Sequence, residues 1–205
     1  MKILLVGPPG CGKGTIGKKL SNHLNIPLIS AGQILRDLPE KHPRKKEIDY
    51  YMGKGDLAPQ DLVAELLREK TLPDRCADGY IFDGWGRSLT NLKHYDPDFD
   101  KVFYIKIAPE TSIKRLSSRR TCESCGAIFN IISVPPKVEG ICDLCGGDLI
   151  QRDDDIEEAV KRRLEIFNTQ TVKVIDYFKE LGVLVEIDGS GTPDEVFHLV
   201  LNALR

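Results

Sequence analysis

Residues 2–15 read Lys-Ile-Leu-Leu-Val-Gly-Pro-Pro-Gly-Cys-Gly-Lys-Gly-Thr. The apolar run Ile3-Leu4-Leu5-Val6 reads as a strand, the segment 13–24 reads as a helix, and a glycine-rich stretch joins them. That is the context a phosphate-binding loop requires. Gly10, Gly12 and Gly14 let the backbone wrap closely around a polyphosphate. The N–H groups that open the helix then point at the phosphates, and the helix dipole favours their charge. Lys13 is spaced to reach the β- and γ-phosphates as a mobile cation. The general pattern G-x-x-x-x-G-K-[ST] is met except at its last place, where Gly14 follows the lysine and Thr15 comes one later. A plain strand-to-helix turn is the alternative. The crowding of glycines around a lysine at this spacing argues against it.

Outward from this loop the chain keeps one rhythm. Residues 2–6, 26–30, 80–82, 102–107 and 183–187 read as strands, several of them apolar on both faces as in a buried parallel sheet. Residues 13–24, 59–70, 109–120, 156–180 and 193–204 read as helices, with Pro59 and Pro193 suited to first turns. Alternating strands and helices predict a doubly wound α/β domain. Two segments break the rhythm. Residues 31–58 are polar and basic, with Pro39 and Pro43 interrupting any long helix, and residues 121–154 carry four cysteines, Pro135-Pro136 and an acidic end. Both read as insertions on one core.

The bulk numbers narrow the function classes. The chain has 205 residues with 41% hydrophobic content, enough for one core and an inserted subdomain. A net charge of -2 gives no electrostatic reason to expect nucleic acid or an anionic membrane as partner. No apolar run approaches the roughly 18–20 residues that span a bilayer, and the N-terminal apolar run is too short for a signal-peptide core. A soluble cytoplasmic protein is expected.

Cys122 with Cys125 and Cys142 with Cys145 form two C-x-x-C units, each followed by glycine, while Cys11 and Cys76 stand alone. In a reducing compartment this pattern predicts one tetrahedral zinc site of four cysteines rather than disulfides or free thiols. Such a site is coordinatively closed, so its expected role is structural. A zinc ribbon also raises the possibility of a nucleic-acid-binding module. Here Lys137 is outnumbered by Glu123, Glu139, Asp143 and Asp148, a poor surface for a phosphate backbone. Asp83, followed by Gly84 at the end of a strand, reads either as a turn-forming pair or as an acid that holds magnesium through water.

The loop variant ending Gly-Lys-Gly-Thr carries a resemblance. GPPGCGKGT (7–15), ISAGQILR (29–36), IFDGWGR (81–87), RLSSRR (115–120), PPKVEG (135–140), QRDDD (151–155) and KRRL (161–164) together resemble, in order, the adenylate kinase family, including its members with a zinc-bearing lid. The resemblance implies a P-loop NTPase fold with a five-stranded parallel sheet. It divides the chain into a core (1–29, 59–118 and 156–205), an insertion binding a nucleoside monophosphate (30–58) and a zinc lid (119–155). It implies reversible transfer of the terminal phosphoryl group of ATP to AMP, with Mg2+ and structural Zn2+, in a monomer.

The site residues it implies fall into four groups. Lys13, Arg87, Arg119, Arg152 and Arg163 would be catalytic, since guanidinium forks match phosphate oxygens and stay charged. Gly10, Cys11, Gly12, Lys13, Gly14, Thr15, Arg115, Arg119, Ile128, Phe129 and Thr192 would bind ATP. Ala31, Arg36, Asp56, Leu57, Ala58, Gly84, Trp85, Gly86, Arg87, Asn91, Arg152 and Arg163 would bind AMP. Asp83 would hold magnesium through water, and the four paired cysteines would hold zinc. Three departures fall in the acceptor pocket. Ala31-Gly32-Gln33 replaces a threonine and aspartate around the glycine, Trp85-Gly86-Arg87-Ser88 replaces F-P-R-T, and Asn91 replaces a glutamine that reads the acceptor adenine. These predict relaxed selection among acceptor bases, with a UMP/CMP or GTP-using kinase as the alternative. A nucleotide sensor without turnover would not need Lys13 and all five phosphate-matching arginines.

Overall fold

Strand β1 (Lys2–Val6) has no solvent face. Leu4 and Val6 enter one apolar cluster, and Ile3 and Leu5 enter another on the opposite side of the sheet. This is why its sequence is a continuous apolar run rather than an alternation. The computed structural model describes residues 1–204. After β1 come α1 (Lys13–Leu24), β2 (Leu28–Ser30), α2 (Ala31–Arg36), α3 (Lys45–Gly53), α4 (Gln60–Thr71), β3 (Tyr80–Asp83), α5 (Leu89–His94), β4 (Lys101–Lys106) and α6 (Pro109–Ser117). Then follow β5 (Arg119–Cys122), β6 (Ile128–Asn130), β7 (Leu149–Ile150), α7 (Glu157–Ile166), a π-helical turn Phe167–Thr171, α8 (Val172–Glu180), β8 (Leu184–Asp188) and α9 (Pro193–Leu204).

Five strands form one sheet in the order β2-β3-β1-β4-β8, and every pairing is parallel. The register sets Leu5 opposite Asp83 and Phe103. The carboxyl ends of β1 and β3 therefore meet, and ligands of open α/β sheets bind beyond such ends. On one face Phe82, Leu4 and Val102 pack with Leu62 and Leu67 of α4 and Phe178 of α8. On the other, Ile81, Phe103 and Ile105 pack with Ile16 and Leu20 of α1 and Val196 and Val200 of α9.

Several elements differ from the sequence expectation. The helix expected over 109–120 ends at Ser117, because Arg119–Cys122 pairs with two further strands. Helices α2, α3 and α5 were not anticipated; α2 and α5 are six residues each, too short to show a helical period. Pro39 and Pro43 fall between α2 and α3, where they interrupt no helix. Strands β6-β5-β7 form a separate antiparallel sheet. Its core is only Cys122, Ala127, Phe129 and Cys142, with Leu149 against them. Among the described residues no helix is long and apolar enough to cross a membrane.

Candidate active site

A cleft of about 1690 Å³ opens beyond the carboxyl ends of β1 and β3. The phosphate loop forms its floor, α2 and residues 55–58 one wall, and the cysteine-bearing segment the roof. Gly12 caps α1 at φ 95°, and Gly10 has φ 80°. A β-carbon at Gly10 would stand 3.0 Å from the Ser112 carbonyl oxygen. Any larger residue at Gly10 would thus be doubly penalised, by conformation and by contact. Cys11, also expected at the ATP site, is buried and its N–H donates to the Pro8 carbonyl, closing the turn. Lys13 Nζ donates to the carbonyls of Gly7 at 2.8 Å and Pro8 at 3.0 Å, so its charge lies over the loop. Thr15 and Gly14 lie on the cleft floor in the first turn of α1. A β-carbon at Gly14 would come 3.6 Å from Asp83 Oδ2, which also accepts from Ser30 Oγ at 3.3 Å. The acid thus stands beside the loop, where the end of β3 puts it.

Arg36, Arg87, Arg119, Arg152 and Arg163 come from α2, the loop after β3, the start of β5, the segment after β7 and α7, and all five line the same cleft. Arg119 makes a two-pronged pair with Asp155, at 2.7 Å and 2.6 Å, and that carboxylate is wholly buried. Arg163 bridges Asp154 at 3.0 Å and Asp155 at 3.1 Å. Arg152 donates to Thr121 Oγ1 at 2.8 Å. Burial, then the charges of Arg119 and Arg36, pull Arg152 down to about 10. Arg87 is lowered by burial and then by Arg163, and Arg36 chiefly by burial. Guanidinium groups crowded in a poorly solvated cleft repel one another, and a polyanion relieves that repulsion. Asp154 has the opposite balance. Burial would raise its carboxyl, but Arg163, Arg119, Arg152 and Arg36 together hold it below the usual carboxylate range.

Residues expected at the two nucleotides separate in space as well as in sequence. Arg115, Ile128, Phe129 and Thr192 line the cleft toward the lid and α9. The Phe129 ring is buried in the lid's small core, and Thr192 exchanges capping bonds with Glu195. Ala31, Asp56, Leu57, Ala58, Gly84, Trp85, Gly86 and Asn91 line the opposite side. The Asp56 carboxylate is paired with Arg162 at 2.5 Å. The Trp85 ring belongs to the core, its indole N–H donating to the Tyr95 carbonyl at 2.9 Å. The Asn91 carboxamide accepts from the N–H groups of Arg87 and Ser88 and donates to Gln60 Oε1 at 2.8 Å. Sequence reasoning missed Gln60 and Thr171, which hold this loop. The spacing Ser88-x-x-Asn91 resembles a capping box and was the available signal for α5.

Cys122, Cys125, Cys142 and Cys145 place their sulfurs within 4.8 Å of one another. Contacts of 3.4 Å (Cys122 to Cys145) and 3.6 Å (Cys125 to Cys142) are far longer than a disulfide bond. They approach the roughly 3.8 Å edge of a tetrahedron of thiolates around a zinc-sized ion. The Cys125 N–H aimed at the Cys122 sulfur helps pull that thiol down to about 7, toward the thiolate a metal requires. The donor set could therefore hold a metal ion.

A phosphate loop at the switch point of a parallel sheet, with arginines converging on it from two insertions, defines a P-loop phosphotransferase. A family model described as adenylate kinase matches residues 5–183. The chain is similar over its full length to proteins named adenylate kinase. That of Thermosipho africanus is 38% identical, covering 100% of both chains. That of Clostridium botulinum (strain Loch Maree) is 39% identical, covering 100% of this chain and 98% of the other. That of Caldicellulosiruptor saccharolyticus is 40% identical, covering 100% and 99%. The chain belongs to the adenylate kinase family, and is a nucleoside monophosphate kinase.

Proposed function

We propose that the chain interconverts ATP plus AMP and two ADP, with the loop of Lys13 holding the donor phosphates and Arg36, Arg87 and Arg163 the acceptor phosphate. The single observation that carries this is the convergence of Lys13 and five arginines on one cleft wide enough for two nucleotides. Lys13, the Gly10–Thr15 backbone, Arg115, Arg119, Ile128, Phe129 and Thr192 form the ATP side. Ala31, Asp56, Leu57, Ala58, Gly84, Trp85, Gly86 and Asn91 form the AMP side with the arginines named above and Arg152. An oxygen of the AMP phosphate forms the new bond to the γ-phosphorus, and the bond to the β,γ-bridging oxygen breaks, leaving ADP. The acceptor is already an anion, so no general base is needed. Arg87, Arg119, Arg152 and Arg163 would hold the two phosphates in line and offset the charge on the transferring group.

Asp83 is placed to hold Mg2+ through water, an ion that neutralises the donor phosphates when bound. The four cysteines would hold structural Zn2+, whose closed shell leaves no position for a phosphate. The core (1–29, 59–118, 156–205), acceptor insertion (30–58) and lid (119–155) would act as separate units, closing to exclude water. The protein would work as a cytoplasmic monomer.

Relaxed acceptor choice follows from the acceptor wall. Ala31 offers no hydroxyl, and Asn91 has one carboxamide N–H left after Gln60 takes the other. A missing polar contact lowers discrimination by about 1–3 kcal/mol. A coupled assay of ATP or GTP against AMP, GMP, CMP and UMP tests both points. The expected result is turnover with ATP and AMP, with at least one other monophosphate within about 100-fold of AMP in kcat/KM. Turnover with another acceptor but none with AMP would overturn the reading.

A further inference from the structure

Arg87 differs from its neighbours in what aims it. Arg119 and Arg163 are steered by Asp155 and Asp154, and Arg152 by Thr121. Among the described residues the Arg87 guanidinium makes no ion pair and no hydrogen bond; its bonds are all on the main chain. The Arg87 N–H donates to Asn91 Oδ1 at 2.8 Å, and the Arg87 carbonyl accepts from Thr171 Oγ1 at 2.9 Å. Gly84 and Gly86 on the same turn have φ 82° and 66°, conformations that leave the loop soft unless it is held from outside. Gln60 braces the near side, its Oε1 accepting from both Ser88 Oγ at 2.9 Å and Asn91 Nδ2 at 2.8 Å.

Thr171 is buried, and it is the last residue of the π-helical turn Phe167–Thr171 that separates α7 from α8. A turn carrying one extra residue shifts the phase of the next helix by roughly 100°. Here α7 presents Arg163 to the cleft and α8 presents Val174, Ile175 and Phe178 to the core. The π-turn between them delivers a hydroxyl to the Arg87 carbonyl. A buried threonine could satisfy its hydroxyl on its own helix, as Thr169 does on the Glu165 carbonyl at 2.8 Å. Thr171 instead bonds a residue 84 positions away.

We infer that Thr171 is a positioning residue for phosphoryl transfer: its hydroxyl, placed by the π-turn, and the Asn91 carboxamide clamp the Arg87 peptide from both ends and so fix the direction of an otherwise unpaired guanidinium. This rests on the reading of Arg87 as a phosphate-binding arginine. Without the hydroxyl the loop keeps its fold but loses its aim, and small misplacements of a group that stabilises a transition state are costly.

The test is a double-mutant cycle on the full chain, measuring kcat and KM for ATP and AMP in Thr171→Val, Arg87→Ala and the double variant. Thr171→Val is expected to lower kcat about tenfold or more, with KM for ATP within about twofold, while Thr171→Ser restores most of the rate. On the Arg87→Ala background, Thr171→Val should cost nothing further, because the two residues act through one guanidinium. An equal loss in both backgrounds, or no loss in either, overturns the clamp. If Arg87→Ala itself leaves turnover unchanged, the reading of Arg87 fails and the clamp fails with it. Thr171→Ala in the same cycle serves if valine prevents folding.

Discussion

The parallel core and the cysteine lid hold their shapes in opposite ways. In the core, β1 is sealed on both faces by two apolar clusters that include Phe82, Phe103 and Phe178. In the lid, three short strands share four buried residues, two of them cysteines, while Ile132, Val138 and Leu144 are exposed. The core can hold its shape by burial of apolar surface. So few buried groups cannot offset the ordering of a segment of this length, and a small fold in that position uses a metal. The same division applies to chemistry. Lys13 and Asp83 belong to the core, and Arg119 and Arg152 stand at the two ends of the lid sheet, where the lid joins the core. The lid's interior contributes order, and its base contributes charge.

Lys13→Ala should break function without touching stability. Its ammonium bonds only loop atoms, Gly7, Pro8 and Cys11, so no core contact is lost. Turnover should fall about 10³-fold, with melting temperature and metal content unchanged. Turnover within a few-fold of the parent would remove the loop from the mechanism. Cys142→Ser should do the reverse. Metal content, about one ion per chain in the parent, should be lost, and the melting temperature should fall, while turnover at low temperature declines less than in Lys13→Ala. A metal-free parent whose melting point is indifferent to the substitution would show that the lid is held in some other way.

The smallest effect expected is on the acid edge of stability. Asp154 titrates below its ordinary value when folded, so its contribution is present above the unfolded pKa, near 4, and is lost as pH falls through the lower folded value. Asp154→Asn should therefore flatten the fall in stability below about pH 4. An unaltered acid profile would mean that the carboxylate is no better placed in the folded chain than in the unfolded one.

Much of the architecture is legible in the sequence. The strand–loop–helix of residues 2–24 and the two C-x-x-C units depend on local spacing, and local spacing is what a sequence displays. What could not be read is which partner each polar side chain finds. Trp85 carries an indole that suits a nucleotide as well as a core, and only the Tyr95 carbonyl decides between them. Asn91 occupies a base-reading position, yet most of its carboxamide holds the backbone of α5. The run 156–180 reads as one helix because a π-turn preserves helical composition while changing phase. The lid strands were missed because they are two to four residues long and dominated by cysteine, arginine and threonine rather than by alternating apolar residues.

The central claim is that the loop around Lys13 and the arginines facing it pass a phosphoryl group between two nucleotides. ATP labelled on its γ-phosphate, mixed with unlabelled AMP, Mg2+ and the purified chain, tests this most directly. The account predicts that the label appears on the β-phosphate of the ADP formed from AMP, at a rate that Lys13→Ala abolishes. Label released as free phosphate while AMP stays unchanged would contradict it.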